Sequence, residues 1–463
     1  MSTQASYLLN QQEYVERMTN QYLIPAEEFA LRRQKLFDAM PAGSVAVIAA
    51  NSEVTRSNDT EFPFCQHKDF YYLTGFNEPD AVLVQIKQDQ EQLLSVLFCR
   101  EKNSLEEVWH GRRVGPEKAV SDYGLDRAFT LDELDEMMPS YLENQQQLWL
   151  LRQSNAELVV RADDWLANIA ARARQGVKPP KTIVDCTDII HEMRLIKSDS
   201  ELAIMRQANV ISGNAHHRAM RKCKPGMFEY HIEAELHHEF TFNNARHPAY
   251  GSIVAGGDNA NILHYTANSD ELKDGELLLI DAGGELAGYA ADITRTFPVN
   301  GCFSEHQAII YQLVLDAQNL AIEAIKPGQT LAELNRLVGE FFTTELHKLG
   351  ILQGDLATLI EENACKRYFI HGLGHWLGLD VHDVGDYRII DKKQCRPFEA
   401  GMVMTIEPGL YFPLDDETVE PQWRGIAVRI EDNIAVVAQG YENLTEHVVK
   451  SIEDVERLMA SSD

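Results

Sequence analysis

The 463-residue chain carries 42 Lys and Arg against 71 Asp and Glu, a formal net charge of −29, and 44% of its residues are hydrophobic. This composition predicts a globular protein of two or three domains with an ample core. A surface so acidic repels phosphate backbones, which argues against nucleic acid as a partner.

The cysteines of the chain favour a reducing compartment, and its hydropathy predicts neither a signal peptide nor a membrane span. Seven cysteines are scattered without a CxxC pair, which argues against a disulfide framework and against a thiolate zinc site. Residues 1–20 are polar and lack the apolar segment of a signal peptide. No apolar run approaches the length of a membrane span. We therefore expect a cytoplasmic protein that makes no membrane contact.

Strand and helix patterns alternate in the first part of the chain. Apolar spacing predicts helices at 27–40, 131–145 and 156–175. Runs rich in β-branched and aromatic residues predict strands at 43–50, 69–76, 81–87, 93–99 and 147–152. This alternation indicates an α/β domain. A proline-bearing stretch, Gly176–Lys181, follows it, residues 182–208 are predicted to open a long helical section, and we place the domain boundary at residues 190/191.

The second part of the chain, residues 191–463, has a different pattern. Amphipathic helices are predicted at 198–222, 229–243, 305–325 and 331–349, and Ser198 with Glu201 forms a capping box for the first of them. Short strands edged by Gly or Pro are predicted at 277–284, 289–299, 401–412 and 425–437. Helix pairs that flank a mainly antiparallel sheet make an α+β domain.

The segment from Ile370 to Gly385, IHGLGHWLGLDVHDVG, combines polar and large apolar residues in an unusual way. It contains His371, His375 and His382 among glycines, Trp376 and leucines. This mixture of histidines with large apolar residues is not typical of an exposed loop, whereas it is typical of a buried polar site. Apolar walls exclude water and so strengthen every interaction with a charge. We interpret the segment as part of a functional site.

Four acidic residues on the predicted strands supply the complementary charge: Asp281, Asp292, Glu407 and Glu431. An ionised carboxylate in a buried strand needs a counter-charge. Four carboxylates would neutralise two divalent cations, and with one imidazole they suit Mn²⁺, Co²⁺ or Zn²⁺. Strand alternation places Arg429 on the face of Glu431, where it is expected to orient that carboxylate. The residues alone therefore predict metal-assisted hydrolysis of an unspecified substrate.

Four motifs in this order resemble a known family: DAGGELAGYAADITRTFPV, HGLGHWLGLDVHDVG, TIEPGLYF and RIEDNIAV. They are similar to the motifs of the pita-bread-fold metallopeptidases, and most of all to the bacterial aminopeptidase P (Xaa-Pro aminopeptidase) family. FYYLTGFNEPDAVLV and EEVWHGRRVG resemble the creatinase/prolidase-type N-terminal domain of that family. The resemblance extends over nearly the whole chain from about residue 25. It implies a pita-bread catalytic domain and release of the N-terminal residue from peptides with proline in the second position.

The resemblance also implies roles for individual residues. The metal ligands would be Asp281, Asp292, His375, Glu407 and Glu431, holding two divalent ions that are usually Mn²⁺. Asp292 and Glu431 would bridge the two ions, and Glu407 would also act as a proton shuttle. His264, His371 and His382 match residues of the proline pocket and the scissile-bond region. Arg429 and Tyr411 match positions behind the ligands and beside the substrate.

In the N-terminal domain the resemblance implies that Asp59 and Trp109 contribute to substrate binding, partly across a subunit contact. It also implies a homo-oligomer, a dimer or a tetramer. An ordinary surface or packing role is an equal alternative for both residues. Similarly, the adjacent pair His216 and His217 diverges around its predicted helix, so we interpret both as exposed or packed rather than metal-bound.

Other functions remain open at this point. Prolidase, which acts on Xaa-Pro dipeptides, shares the ligands and needs a cation for the proline carboxylate. Methionine aminopeptidase has no use for the large N-terminal domain, and creatinase lacks the ligand set. A non-enzymatic binding protein on the same fold is disfavoured, because buried carboxylates without metal are destabilising.

Overall fold

The computed structural model describes residues 24–88, 92–152, 155–389 and 394–461. The N-terminal stretch for which we predict no signal peptide lies outside these residues. The chain divides into two compact units, one of residues Ile24–Arg194 and one that contains Leu195–Asp463. Our boundary at 190/191 remains a prediction about independently folding domains. Across the described ranges, no helix has both the length and the apolar character needed to cross a bilayer.

The unit Ile24–Arg194 alternates strands with helices. Its helices are α1 Ala26–Ala39, α2 Lys68–Thr74, α3 Ser104–His110, α4 Gly115–Tyr123, α5 Leu134–Leu142, α6 Ala156–Ala171 and α7, which runs from Thr187 to Leu195. Its strands are β1 Ser44–Ala49, β2 Thr55–Ser57, β3 Thr60–Glu61, β4 Val82–Lys87, β5 Leu93–Cys99, β6 Arg127–Thr130, β7 Gln147–Leu150 and β8 Thr182–Asp185. Short 3₁₀ turns occupy Leu131–Glu133 and Ala173–Gln175.

A mixed sheet forms the centre of this unit, with strand order β6-β5-β4-β1-β7-β8. Strand β1 pairs antiparallel with β4 and parallel with β7. Val45 and Val47 of β1 are fully buried and pack with Val84, Phe98 and Trp165 in one apolar cluster. A continuous apolar strand buried in this way is typical of a sheet covered by helices. The predicted α/β class is confirmed.

Two predictions of local structure in this unit are wrong. Residues 69–76 were expected to form a strand, but Lys68–Thr74 is helix α2, which ends at Gly75 with φ 67°. Phe70, Leu73 and Thr74 are buried at helical spacing, so tertiary packing overrides the strand preference of the aromatic residues. Thr182–Asp185 was expected to be helical, but it forms strand β8. This strand pairs in parallel with β7, with Thr182 opposite Gln147.

The unit that contains Leu195–Asp463 has helices on a set of antiparallel strands. Its helices are α8 Asp199–Lys222, α9 Glu229–Phe242, α10 Glu305–Glu323, α11 Leu331–Lys348, α12 Leu356–Glu361 and α13 Ile452–Ala460. Its strands are β9 His247–Pro248, β10 Ile253–Gly256, β11 Leu277–Asp281, β12 Gly284–Leu286, β13 Tyr289–Ala290, β14 Thr294–Pro298, β15 Arg388–Ile389, β16 Gln394–Cys395, β17 Val403–Ile406, β18 Gly409–Phe412, β19 Ile426–Arg429, β20 Asp432–Val437 and β21 Gly440–Asn443. Short 3₁₀ turns occupy Gly257–Asn261, Ala364–Arg367 and Pro421–Trp423.

The antiparallel pairings hold the strands that later define the site. Strand β11 lies between β10 and β14, and β20 lies between β17 and β21. Every strand pairing within the described part of this unit is antiparallel. Ser198 caps α8 and Glu201 completes the capping box, as predicted. The expected α+β class is confirmed.

Candidate active site

The four predicted carboxylates lie where strands end or break. Asp281 is the last residue of β11, whereas the other three lie between strands. The expectation that all four stand on strands is therefore wrong for Asp292, Glu407 and Glu431. Each predicted strand is divided at its acidic residue, and beyond Glu407 the division has a clear cause, because Pro408 has no N–H to donate to a ladder.

Other backbone contacts hold these broken segments in place. The N–H of Asp292 donates to Oδ1 of Asn433 (2.9 Å), and the N–H of Glu431 donates to the carbonyl of Thr294 (3.1 Å). The N–H of Glu407 donates to the carbonyl of Leu373 (2.8 Å). With the ladder interrupted, the carboxylate side chains turn towards a common space instead of alternating across a sheet.

That space is a cavity of about 430 Å³. It is lined by most of the residues that the sequence singled out: His264, Asp281, Asp292, His371, His375, His382, Glu407, Arg429 and Glu431. Ile253, Leu263 and Val381 add apolar wall. Segments that are up to 181 residues apart in the sequence thus meet in one pocket, from Tyr250 to Glu431.

His375 lies among the carboxylates. Its Nε2 is 3.4 Å from Oδ2 of Asp292 and 3.5 Å from Oε1 of Glu407. Its Nδ1 is 3.0 Å from the carbonyl of Trp376, which fixes the Nδ1–H tautomer when the ring is neutral and leaves Nε2 free to act as a ligand. Ligand atoms of Asp292, His375 and Glu431 all lie within 4.8 Å of one another. This spacing allows the three side chains to contact one ion.

Tyr250 is a site residue that the sequence analysis missed. Its hydroxyl contacts Oδ1 of Asp281 at 2.6 Å and also Oδ1 of Asp292. Burial and the nearby carboxylates raise its pKa well above the usual value, so the phenol keeps its proton. Tyr250 lies in an irregular segment between β9 and β10, where a lone tyrosine gives no pattern to detect.

Arg429 acts differently from our expectation. Its Nη2 donates to Oδ2 of Asp281 (2.6 Å), and its Nε donates to Oγ1 of Thr294 (3.1 Å). The Thr294 hydroxyl in turn donates to Glu431 (2.6 Å). Arg429 is thus a direct partner of Asp281 and reaches Glu431 through Thr294, because the strand ends at Arg429 and the simple alternation stops there.

Tyr411 and His371 continue this network. Nη1 of Arg429 donates to the Tyr411 hydroxyl (2.9 Å), which lies 2.7 Å from Nε2 of His371. Nδ1 of His371 is 2.7 Å from the carbonyl of Gly372. Burial, with the positive charge of Arg429, lowers the pKa of His371 to about 4. His371 is therefore a neutral imidazole that accepts the Tyr411 proton at Nε2.

The other two histidines line the same cavity. The ring of His382 packs edge-on against that of His375, with centroids 4.2 Å apart. Burial lowers the pKa of His382, and His375 and His264 lower it further. His264 lies on an exposed loop at the cavity wall.

The charges of the cavity do not balance among the protein groups. Burial, together with the nearby Asp292 and Asp281, raises the pKa of Glu407 to about 7 against the opposing effects of His375 and Arg429. Burial and the same acidic neighbours raise the pKa of Glu431 well above its usual value. Four buried carboxylates thus share only two nearby cationic side chains, His375 and Arg429, which are too few for all four to ionise. The donor set of oxygens with one imidazole nitrogen fits hard or borderline divalent cations.

The structure does not bring Asp59 and Trp109 into this cavity. Both lie in the unit Ile24–Arg194, Asp59 exposed in the turn between β2 and β3 and Trp109 with 83% of its surface exposed near the end of α3. Their roles in substrate binding remain predictions. His216 is buried on α8 with Nε2 2.9 Å from the carbonyl of Ala282, which agrees with a packed role.

Known proteins share both units. Residues 203–438 match metallopeptidase family M24, and residues 29–149 match the aminopeptidase P N-terminal domain. The chain is 47% identical to an Xaa-Pro aminopeptidase of Escherichia coli K12 over 439 residues, which cover 95% of this chain and 99% of the relative.

Solved structures agree in fold, and they confirm the expected pita-bread architecture. Zn-substituted Escherichia coli aminopeptidase P in complex with product matches with a TM-score of 0.92 and 47% identity, covering 94% of this chain and 98% of the other. Pseudomonas aeruginosa aminopeptidase PepP matches with a TM-score of 0.93 and 45% identity, covering 95% and 99%.

Proposed function

Because this chain belongs to metallopeptidase family M24, we infer that it is a metal-dependent Xaa-Pro aminopeptidase. It hydrolyses the bond after the N-terminal residue of peptides that carry proline in the second position. One observation carries this conclusion: a chain 47% identical to an Xaa-Pro aminopeptidase gathers five side chains of metal-ligand type around one cavity. They are Asp281, Asp292, His375, Glu407 and Glu431.

We propose that these five side chains hold two divalent ions, most simply Mn²⁺. Asp292 and Glu431 would bridge the ions, Asp281 would bind one of them, and His375 with Glu407 would bind the other. The excess of buried carboxylate and the position of His375 Nε2, which faces Asp292 and Glu407, support this assignment. When bound, the ions supply a nucleophile at neutral pH and polarise the scissile carbonyl.

The protein side chains orient the substrate. Ile253, Leu263 and Val381 offer apolar surface for the proline ring next to His264 and His371. A ring that packs against these walls excludes water from the bond to be cleaved, which strengthens the electrostatic interactions within the cavity. Selection for proline is thus a matter of shape and of apolar contact beside the ligands.

The same side chains hold and move protons. Glu407 is the proposed proton shuttle, since its carboxylate lines the cavity beside His375. His382 would donate to the oxygen that gains charge at the scissile bond. His371 stays neutral and is held by Tyr411, so it keeps one orientation towards the substrate.

Several features of the working enzyme are proposed on the family resemblance alone. These are Mn²⁺ as the metal, a homo-oligomer, a cytoplasmic location, and contributions of Asp59 and Trp109 to the substrate site across a subunit contact. Peptides with an Xaa-Pro N-terminus are the proposed partners. The strongly acidic chain, at −29, supports the expectation that nucleic acid does not bind.

Substrate length tests the proposed function. The metal-loaded protein is expected to cleave an Xaa-Pro-Yaa tripeptide and to turn over the matching Xaa-Pro dipeptide poorly. Glu407→Ala should abolish cleavage, whereas Glu417→Ala, which removes an exposed carboxylate from the loop after β18, should leave it intact. Preference for the dipeptide would assign the protein as a prolidase, and hydrolysis of neither peptide would contradict both assignments.

A further inference from the structure

A buried amide on α10 lies behind two of the proposed ligands. Gln318 has no exposed surface, and its Nε2 donates to the carbonyl of Ile406 (3.2 Å) and to that of Ile430 (3.1 Å). These residues immediately precede Glu407 and Glu431 in the chain. One side chain therefore contacts the backbone at both ligand-bearing breaks.

The position of these contacts matters because neither glutamate is held by a regular strand. Glu407 follows the end of β17, and Glu431 lies between β19 and β20. An amide nitrogen carries two N–H donors in a fixed plane, so two acceptors on it keep a fixed separation. The Gln318 amide consequently ties together the two backbone segments from which the carboxylates project.

The amide is itself held in one orientation. Nζ of Lys450 donates to Oε1 of Gln318 (2.8 Å) and to Oδ2 of Asp432 (2.6 Å). Oδ1 of Asp432 accepts from Arg295 (2.7 Å), and Arg295 also donates to the carbonyl of Glu431 (2.6 Å). Since Lys450 has only donors to offer, the oxygen of the amide must face it and the nitrogen must face the two carbonyls.

We propose that Gln318 is a positioning residue that sets the spacing of Glu407 and Glu431 and thereby the affinity of the site for divalent cations. Gln318 does not line the cavity, and its amide acts on the ligands through the backbone carbonyls that precede them. The proposal rests on the proposed metal site and extends it to a residue outside the cavity. It predicts that the Gln318 amide contributes to metal binding beyond its contribution to folding.

Gln307 on the same helix provides a matched control. It is also largely buried, and its Nε2 donates to the carbonyl of Gly275 (2.9 Å), away from the carboxylate cluster. Replacing either glutamine by methionine removes the amide at nearly constant volume. The change at Gln318 removes two bonds to carbonyls and the acceptor for Lys450, whereas the change at Gln307 removes one bond to a carbonyl and the acceptor for the Ser304 N–H. Both changes should lower the free energy of unfolding, since a buried carbonyl loses a donor. Only the change at Gln318 should alter metal binding.

The test is a calorimetric titration of the metal-stripped full chain with Mn²⁺. Gln318→Met is expected to raise the Kd for Mn²⁺ about 10- to 100-fold, in the range seen when outer contacts of metal ligands are removed. Gln307→Met is expected to bind Mn²⁺ as the wild-type protein does. If Gln318→Met fails to fold, Gln318→Asn keeps an amide but withdraws it by one methylene, and should weaken binding in the same direction.

The possible failures are distinguishable. Equal Mn²⁺ affinity in the wild-type protein and Gln318→Met would overturn the positioning role and leave the metal site standing. Equal weakening by Gln318→Met and Gln307→Met would also overturn it, because a general loss of stability would then be the cause. A wild-type protein that takes up no Mn²⁺ would overturn the proposed metal site and this inference together.

Discussion

At the scale of single residues, the Tyr250 hydroxyl connects two carboxylates of the site. Its hydroxyl contacts both Asp281 and Asp292, and only one proton is available for the two acceptors. The neutral phenol therefore places two acidic groups side by side without adding charge. A cation between the carboxylates would relieve the remaining repulsion.

Tyr250→Phe removes this hydroxyl and keeps the ring. Mn²⁺ affinity is expected to fall by about 10- to 100-fold, since the two carboxylates lose their common donor. Circular dichroism checks that the fold is kept, and calorimetric titration with Mn²⁺ measures the effect. Tyr289→Phe is the control, because the buried Tyr289 hydroxyl donates to Glu201 (2.8 Å) instead of to the site. Equal effects of the two changes would contradict a specific role for Tyr250.

His217 gives the folded protein a dependence on pH that is separate from catalysis. Its Nε2 accepts from the N–H of Val449 (3.1 Å), and burial together with His447 and Arg221 lowers its pKa from 6.5 to about 4. Between these values the unfolded chain binds a proton that the folded chain does not. The contribution of neutral His217 to the free energy of unfolding is therefore fully present above about pH 6.5 and is lost as the pH falls towards about 4.

His217→Gln keeps an acceptor for Val449 and removes the titration. The free energy of unfolding of the variant should fall less steeply between about pH 6.5 and pH 4, by about 1–3 kcal/mol over that range. Urea unfolding of both proteins at several pH values measures the difference. If the free energies of unfolding of the two proteins change with pH in parallel, His217 does not contribute to the pH dependence of stability.

At the scale of elements, the segment HGLGH (residues 371–375) packs in close contact with β17. A Cβ added at Gly374 would lie 2.0 Å from the carbonyl oxygen of Thr405, which is a backbone atom that cannot rotate away. The next residue, His375, donates its N–H to Oγ1 of Thr405 (3.0 Å). Glycine at 374 is thus required for the approach that places the His375 ring.

Gly374→Ala is expected to push this segment away from β17, lowering both the melting temperature and the affinity for Mn²⁺. An overpacked contact of this kind costs about 1–3 kcal/mol. Gly372→Ala is the matched control in the same motif, because a Cβ there meets no atom within 4 Å. Thermal unfolding and Mn²⁺ titration of the two variants provide the comparison. Similar losses in both would refute the steric argument.

The elements also show where prediction from sequence succeeds. The helix Asp199–Lys222 was predicted with its cap, because apolar spacing and the Ser198 capping box are local signals. The strand expected at residues 69–76 is a helix, since local preference there yields to packing. The break at Glu431 was not predictable, because it depends on contacts with distant segments such as Gln318. The break beyond Glu407 does have a local signal in Pro408, which cannot donate to a strand ladder.

At the scale of the whole molecule, the site is assembled by the fold from widely separated segments. The acidic residues and histidines could be identified because their types are unusual among apolar neighbours. Tyr250, Thr294 and Gln318 could not, since each acts through one hydrogen-bonding group that leaves no pattern in the chain. The sequence therefore predicts the chemistry of the site better than it predicts the side chains that hold it in place.

The proposed metal site has a direct test in the metal dependence of hydrolysis. The protein is stripped with a chelator, and Mn²⁺ is restored in steps while cleavage of an Xaa-Pro-Yaa tripeptide is followed. We expect no cleavage without metal and a rise that ends at about two Mn²⁺ per chain, as a two-metal site requires. Asp292→Ala should stay inactive at every metal concentration. Full hydrolysis by the metal-free protein, or by Asp292→Ala, would contradict the account.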